Sequence, residues 1–402
     1  MTEVPEVDPP PAARSQFHTL VVFSDDWGRH PSSCQHIVRH LLDDHRVLWV
    51  NTIGLRPPRL DLATVTRAAG KFRHWTGGGG AASAPADAGP EPTVLNPKMW
   101  PWFRRPHDRR LNRQLLARQL VGPIEEARRD GPVAAITTVP VMAPLVGALP
   151  VDRWIYYCVD DFSVWPGVDG ATAGELEREV VAKADRLVAA GPGLRDRLMT
   201  MERRAEVHVV EHGVDLEFWS NPKVPFPHRL PEGPLVVFWG LIDRRLDVEA
   251  VHAIADAVGP NSPRPATVLL VGPGQDEPPE LTNRPNVLRI PAVPHATLPA
   301  LAAAAAVLVM PYRDAPVTRA MQPLKLLEYL ACGKPVVVRD LPATLPYAGA
   351  CDLAADPPAF VNGVVHRLNP SLSHVERTIW STFLIDVSWE KRTEKFVTFA
   401  LA

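Results

Sequence analysis

A lysine and a glutamate in the last third of the sequence have the spacing of a phosphate-binding and hydroxyl-binding pair. The segment reads TRAMQPLKLLEYLACGKPVVV, and a helix that begins near Gln322 or Pro323 puts Lys325 in its first turn and Glu328 on the same side one turn later. A phosphate would meet free backbone amides, the positive helix end and the ammonium group together. Glu328 can accept hydrogen bonds from ribose hydroxyls. Composition alone also allows an exposed ion pair on an ordinary helix.

Two neighbouring aspartates, Asp160 and Asp161, end the apolar run RWIYYCVDD. One of two adjacent carboxylates can have a raised pKa, which suits it to proton transfer. A helix-capping or loop-bracing carboxylate is the alternative, and we prefer that interpretation for Asp161. For Asp160 we favour a catalytic role.

Three apolar runs end in glycine, which lets the backbone approach a ligand closely. The first continues as FSDDWGRHPSS and offers Asp26, Gly28 and His30 for phosphate or acceptor contact, with a tight turn and solvated charges as the alternative. The others end at Gly240 in LVVFWG and at Gly272 in TVLLVGPG. The GPG loop lacks the GxGxxG spacing of a nicotinamide site.

Aromatic and basic residues alternate in KMWPWFRRPHDRRLNRQLLARQL. Tryptophan beside arginine suits a lipid headgroup surface or a polyprenyl-diphosphate acceptor, so residues 99–118 are a candidate membrane contact. The alternative is a solvated helix whose aromatic side chains pack on the core.

Two sheets are needed to position these residues. Strand and helix patterns alternate twice along the chain, which predicts two doubly wound parallel sheets. We predict a disordered tail at 1–16, an N-terminal domain at 17–220, a linker at 221–234 and a C-terminal domain at 235–385. A helix at 386–402 is expected to pack back on the N-terminal domain, and a mobile loop is expected from Arg56 to about Pro97.

Composition narrows the function classes. The 402 residues carry a formal net charge of −2, which gives no global field for nucleic acid. Four scattered cysteines form no CxxC pair, so neither a disulfide framework nor a zinc site is expected. The acidic, proline-rich start lacks the pattern of a signal peptide. We therefore expect a cytoplasmic protein, with peripheral contact at the inner face of the cell membrane as an option.

The segment PLKLLEYLACGKPVV closely resembles the donor-binding helix of GT-B glycosyltransferases, in the family 4-like bacterial branch that makes teichuronic acid and exopolysaccharides. EHGVDLEFW, VVFWG, TVLLVGPG and IYYCVDDF extend the resemblance over most of 17–339. It implies a GT-B fold, two Rossmann-like domains facing a cleft. Asp160 stands where many relatives have a histidine. One departure is Ala320, where many retaining members have a first acid.

The resemblance implies a donor site built from Gly240, Arg244, Gly272, Gln322, Pro323, Leu324, Lys325 and Glu328. Arg245 is the alternative to Arg244. Lys325 and Asp160 are the catalytic candidates. No permanently bound cofactor is expected, and the donor is a nucleotide-diphosphate sugar handled without a metal, because fixed cations and amide dipoles can neutralise the leaving group.

The sequence thus predicts a hexosyltransferase-like enzyme that moves sugar from a UDP-sugar to a saccharide or polyprenyl-linked acceptor in cell-surface polysaccharide synthesis. Two alternatives remain open. One is a UDP-sugar epimerase of the same fold, and the other is a catalytically silent nucleotide-binding partner protein.

Overall fold

A computed structural model describes residues 15–28, 32–53, 89–165, 167–202, 206–322, 324–369, 384 and 386–402. Residues 1–14 of the predicted tail and residues 56–88 of the predicted loop lie outside these residues. The chain divides into two compact units, one formed by Met1–Glu211 with Arg392–Ala402 and the other by His212–Lys391. Residues 221–234, predicted as a linker, belong to the second unit, where Phe226 and Leu230 pack against its core.

The first unit contains a seven-stranded parallel sheet in the order β3-β2-β1-β4-β5-β6-β7. Its strands are β1 (Thr19–Ser24), β2 (Arg46–Asn51), β3 (Thr93–Leu95), β4 (Val133–Thr137), β5 (Arg153–Cys158), β6 (Arg186–Ala189) and β7 (Val207–Val209). Its helices are α1 (Ser33–Arg39), α2 (Pro106–Arg128), α3 (Gly170–Lys183) and α4 (Pro192–Met201).

The second unit contains a six-stranded parallel sheet in the order β10-β9-β8-β11-β12-β13. Its strands are β8 (Leu235–Trp239), β9 (Thr267–Val271), β10 (Val287–Ile290), β11 (Val307–Met310), β12 (Val336–Arg339) and β13 (Asp352–Ala354). Its helices are α5 (Leu216–Ser220), α6 (Val248–Ala257), α7 (Leu298–Ala304), α8 (Pro316–Ala320), α9 (Leu324–Ala331) and α10 (Pro357–Arg367).

The central strands of both sheets are rich in apolar residues, which is typical of parallel sheets covered on both faces. Every residue of β1, β4, β8, β11 and β12 is buried, as expected for strands covered on both faces. The prediction of two doubly wound parallel sheets is confirmed. Helix starts follow their local signals, because Asp169 caps α3 and Asp247 caps α6 with side-chain carboxylates.

One correction concerns the segment between Arg56 and Pro97. Its end is ordered, since Thr93–Leu95 forms the edge strand β3 and pairs with β2. Three residues are too short to show the two-residue alternation by which a strand is recognised, so the sequence pattern could not reveal it.

The last helix, α11 (Trp389–Phe396), is followed by a π-helical turn over Val397–Leu401. Within the first unit, Phe396 packs edge-on against Tyr157, and Phe399 stacks on His208. Arg153 donates to the carbonyl oxygens of Ala400 and Ala402. Aromatic contacts and backbone hydrogen bonds together attach the end of the chain to this unit.

Both strand orders reverse direction once, between β1 and β4 in the first unit and between β8 and β11 in the second. Ligands of open parallel sheets bind beyond the carboxyl ends of the strands at such points. None of the helices in the described ranges has the length and apolar character needed to cross a membrane.

Candidate active site

Lys325 lies over the end of β8. It stands in the first turn of α9, as predicted, and its aliphatic stem crosses Gly240, the residue that follows β8. A Cβ atom at Gly240 would lie 2.1 Å from Lys325 Cε and 3.0 Å from its Nζ, so a larger residue there would displace the end of the lysine side chain, and the φ of +145° at this position itself favours glycine. The ammonium group is thereby held at a strand end beside the reversal point of the sheet.

The expected alternative, an ion pair between Lys325 and Glu328, does not form. Lys325 has no ion-pair partner in the part of the chain that the structure describes. Its half-buried charge is consequently not neutralised by a protein carboxylate there, which suits it to an anionic ligand.

Glu328 is held by the end of the same strand. The indole Nε1 of Trp239 donates to Glu328 Oε2 over 3.4 Å. Next to it, the hydroxyl of Tyr329 accepts from the Trp239 backbone N–H over 3.1 Å and donates to the Trp239 carbonyl over 3.2 Å. Burial raises the pKa of Tyr329 well above its usual value, so this phenol stays protonated and keeps α9 attached to β8.

The loop after β9 supports the same site. Gly272 has φ +145° and approaches so closely that a Cβ there would lie 2.0 Å from the carbonyl oxygen of Gly240. Only glycine fits that backbone contact. Gly240, Gly272, Lys325 and Glu328 are thus brought together at the β8 and β9 strand ends.

For the other residues predicted to bind the donor, the structure shows fewer contacts with this group of four. Gln322 is half-buried before α9, its carbonyl accepts from the backbone N–H of Leu324, and Pro323 lies outside the described residues. Arg244 is exposed. Arg245 is buried and bonds through Nε to both oxygens of Asp243 at 3.0 Å, so of the two arginines only Arg244 keeps an exposed head.

In the first unit, Asp160 and Asp161 follow β5 and have different surroundings. Asp161 is buried, caps the short turn Phe162–Val164 by accepting from the Ser163 N–H, and pairs with Arg197 Nε at 2.9 Å. The preferred interpretation of Asp161 as a bracing carboxylate is confirmed. Asp160 is half-buried at the rim of the same loop.

A buried ionic network fixes this loop from below. Arg197 also pairs with Glu177 at 2.5 Å, and Glu177 accepts from the hydroxyl of Tyr156 at 2.9 Å. Burial tends to lower the pKa of Arg197, but the hydrogen bond and charge of Glu177, with Asp161, raise it. The sequence analysis missed Arg197 and Glu177. Each lies inside a helix, and nothing in the local sequence of that helix marks it as different from a solvent-facing charge.

The loop after β1 lies at the other reversal point. The hydroxyls of Ser24 and Thr138 are 2.8 Å apart across the ends of β1 and β4. Gln35, fully buried on α1, bonds Asp25, the carbonyl of Asp26 and the N–H of Gly28. This amide, which the sequence analysis did not single out, shapes the predicted acceptor loop; His30 lies outside the described residues.

Residues 99–118 combine exposed aromatics with a rigid base. Phe103 is buried, which fits the core-packing alternative, but Trp100 and Trp102 are 39% and 44% exposed with ring centroids 4.8 Å apart. Asn112, almost fully buried, bonds the backbone of both tryptophans, and Asp108 accepts from the Trp100 indole. Arg104 and Arg105, which follow, are exposed. We call Trp100, Trp102, Arg104 and Arg105 the Trp/Arg patch.

In the described ranges, no group of three or more histidine, cysteine, aspartate or glutamate side chains is arranged to hold a metal ion. The expectation of metal-independent donor binding stays a prediction.

The architecture is that of the GT-B fold. The structure is similar to that of sucrose-phosphate synthase from Thermosynechococcus elongatus, with a TM-score of 0.64 and 15% sequence identity. The match covers 95% of this chain and 98% of that one. Anabaena Alr3699/HepE, solved in complex with UDP and glucose, agrees at a TM-score of 0.62 and 13% identity, covering 96% and 99%. At such identities the likeness defines the fold.

Sequence comparison is more specific for the second unit. Residues 233–369 match the family described as Glycosyl transferases group 1, and this stretch holds Gly240, Gly272, Lys325 and Glu328. The chain is also 33% identical over 221 residues to Bacillus subtilis TuaH, whose name describes a glycosyltransferase of teichuronic acid biosynthesis. That match spans 50% of this chain and about half, 54%, of the relative.

Proposed function

We propose that the protein is a glycosyltransferase that takes a hexose from a UDP-sugar. The observation that carries the proposal is the ammonium of Lys325, which forms no ion pair with any described residue and lies over Gly240 at the end of β8, with the carboxylate of Glu328 one turn away. Lys325 binds the diphosphate and stabilises its charge as the glycosidic bond breaks, while Glu328 accepts from the ribose hydroxyls. The UDP bound by Anabaena HepE supports a uridine nucleotide as the donor.

On the acceptor side, we propose that Asp160 takes the proton from the attacking hydroxyl. The half-buried carboxylate sits on a loop fixed by Asp161 and Arg197, so it is positioned before substrate arrives. The acceptor is a saccharide or a polyprenyl-linked saccharide of a cell-surface polysaccharide, as the name of the Bacillus subtilis relative suggests.

A nucleotide screen tests this function. We expect UDP and a UDP-hexose to raise the melting temperature of the purified protein more than ADP, GDP or CMP do, because a ligand that binds only the folded state stabilises it by mass action. Released UDP is then followed with and without saccharide acceptors. Acceptor-dependent release supports transfer, conversion of the UDP-sugar without acceptor indicates an epimerase, and binding without turnover indicates a silent nucleotide-binding partner.

We further propose that the Trp/Arg patch contacts the anionic inner surface of the cell membrane. Two exposed tryptophans on a rigid base suit the headgroup region, and each arginine near an anionic surface contributes about 1 kcal/mol. The peripheral, cytoplasmic location predicted from the sequence remains part of this proposal.

Vesicle binding checks the membrane contact. The wild type is expected to cosediment with phosphatidylglycerol vesicles and not with phosphatidylcholine vesicles, and added salt should release it. The double variant R104E/R105E should lose roughly 2 kcal/mol or more of binding, about thirtyfold. Arg129→Glu, an exposed charge reversal just beyond α2, is the matched control. Equal binding of both variants would refute the contact.

A further inference from the structure

His295 lies within an aromatic cluster beside Glu328. It opens the short turn His295–Thr297, where its ring stacks flat on Phe218 with centroids 4.9 Å apart and meets the edge of Trp219 at 5.3 Å. Trp219 in turn stacks on Trp239, the residue whose indole bonds Glu328. These four aromatic side chains come from three separate chain segments, and two of them, Trp239 and His295, lie beside the carboxylate of Glu328.

The ring nitrogen of His295 is directed at that carboxylate. Its Nε2 is buried and has no hydrogen-bond partner among the residues that the structure describes, while Glu328 Oε1 lies 4.0 Å away. A buried polar atom without a partner is costly, and a shift of roughly 1 Å would make a hydrogen bond to Oε1. The other oxygen, Oε2, already accepts from Trp239.

We propose that His295 is a positioning residue for Glu328 in nucleotide binding, an inference that rests on the proposed donor site. Nε2, carrying its proton, donates to Oε1, and the Trp239 indole holds Oε2. The carboxylate is then fixed from two sides, and its remaining lone pairs face the vicinal hydroxyls of the nucleotide ribose. The contacts with Phe218 and Trp219 hold the orientation of the imidazole ring. In this way a side chain from the turn before α7 positions a side chain of α9 for binding the ribose.

The distance of 4.0 Å between His295 Nε2 and Glu328 Oε1 is compatible with this positioning role. Hydrogen bonds between the side chains of a binding site often shorten when the ligand binds. The aromatic stack allows such a shortening, because the imidazole can slide along the Phe218 face without losing its contact.

A double-mutant cycle tests the proposal, with the dissociation constant of UDP measured by titration calorimetry. His295→Phe keeps the stacked ring and removes the donor, so UDP binding should weaken about ten- to a hundredfold, the loss expected for one hydrogen bond to a charged group. His295→Gln places an amide N–H near the same point and should recover most of the affinity. In the Glu328→Ala background, which has no side-chain acceptor for Nε2, His295→Phe should add less than about a twofold change.

The melting temperature of each variant separates a structural role from a positioning role. Wild-type affinity in His295→Phe, or the same weakening with and without Glu328, would overturn the proposal while leaving the donor site in place. UDP binding weakened by Glu328→Ala but not by His295→Phe has the same meaning. A wild type that binds no UDP would instead reject the uridine donor site, and the positioning role with it.

Discussion

Replacing Lys325 with alanine is expected to lower the rate of sugar transfer about 10²- to 10³-fold while the protein still folds. As the bond to the sugar breaks, negative charge grows on the leaving diphosphate, and a fixed cation stabilises that state more than the ground state. The ammonium of Lys325 is suited to this role because no ion pair in the described part of the chain uses it. Among the described residues, removing it therefore leaves no carboxylate without its partner.

Steady-state kinetics with a UDP-hexose and circular dichroism measure the two halves of this prediction. Lys334→Ala is the matched control, since Lys334 lies just beyond the other end of α9, where its ammonium donates to the carbonyl of Ala303. The control should keep wild-type turnover. A Lys325→Ala enzyme with unchanged kcat would remove the lysine from catalysis, and an unfolded variant would be replaced by Lys325→Met, which keeps the apolar stem over Gly240.

Helix α9 could be predicted from sequence because its information is local. The three-residue spacing of Lys325 and Glu328 places both on one side of any helix, and the preceding strand ends are marked by Gly240 and Gly272. The contact of Lys325 with Gly240 could not be derived, since it joins residues far apart in the chain. Nothing in the local pattern of either segment specifies that β8 lies next to β11 and faces α9.

The surroundings of Glu328 were missed for a related reason. Trp219, Trp239 and His295 look like ordinary core or loop residues in the sequence, and only the sheet order brings them together. Asp161 shows the opposite case, because a carboxylate two residues before Ser163 at a strand end is a local capping signal. Local signals therefore predicted caps and helix faces, whereas tertiary contacts decided which polar groups meet.

Asp160→Asn is expected to lower the rate of transfer to an acceptor hydroxyl about 10²- to 10⁴-fold, the usual contribution of a general base. The change preserves size and removes the charge, so UDP affinity should stay near that of the wild type. The rate of acceptor-dependent UDP release and the dissociation constant of UDP measure these two expectations.

Asp161→Asn separates this chemistry from the support of the loop. Asp161 is buried and pairs with Arg197, so the change leaves the Arg197 guanidinium with Glu177 as its remaining carboxylate partner among these three residues and should cost roughly 1–3 kcal/mol of unfolding free energy. Its effect should therefore be on the melting temperature, with turnover per folded molecule close to that of the wild type. If Asp160→Asn instead lost stability and kept turnover, both neighbours would be bracing carboxylates, and the base would have to come from another residue.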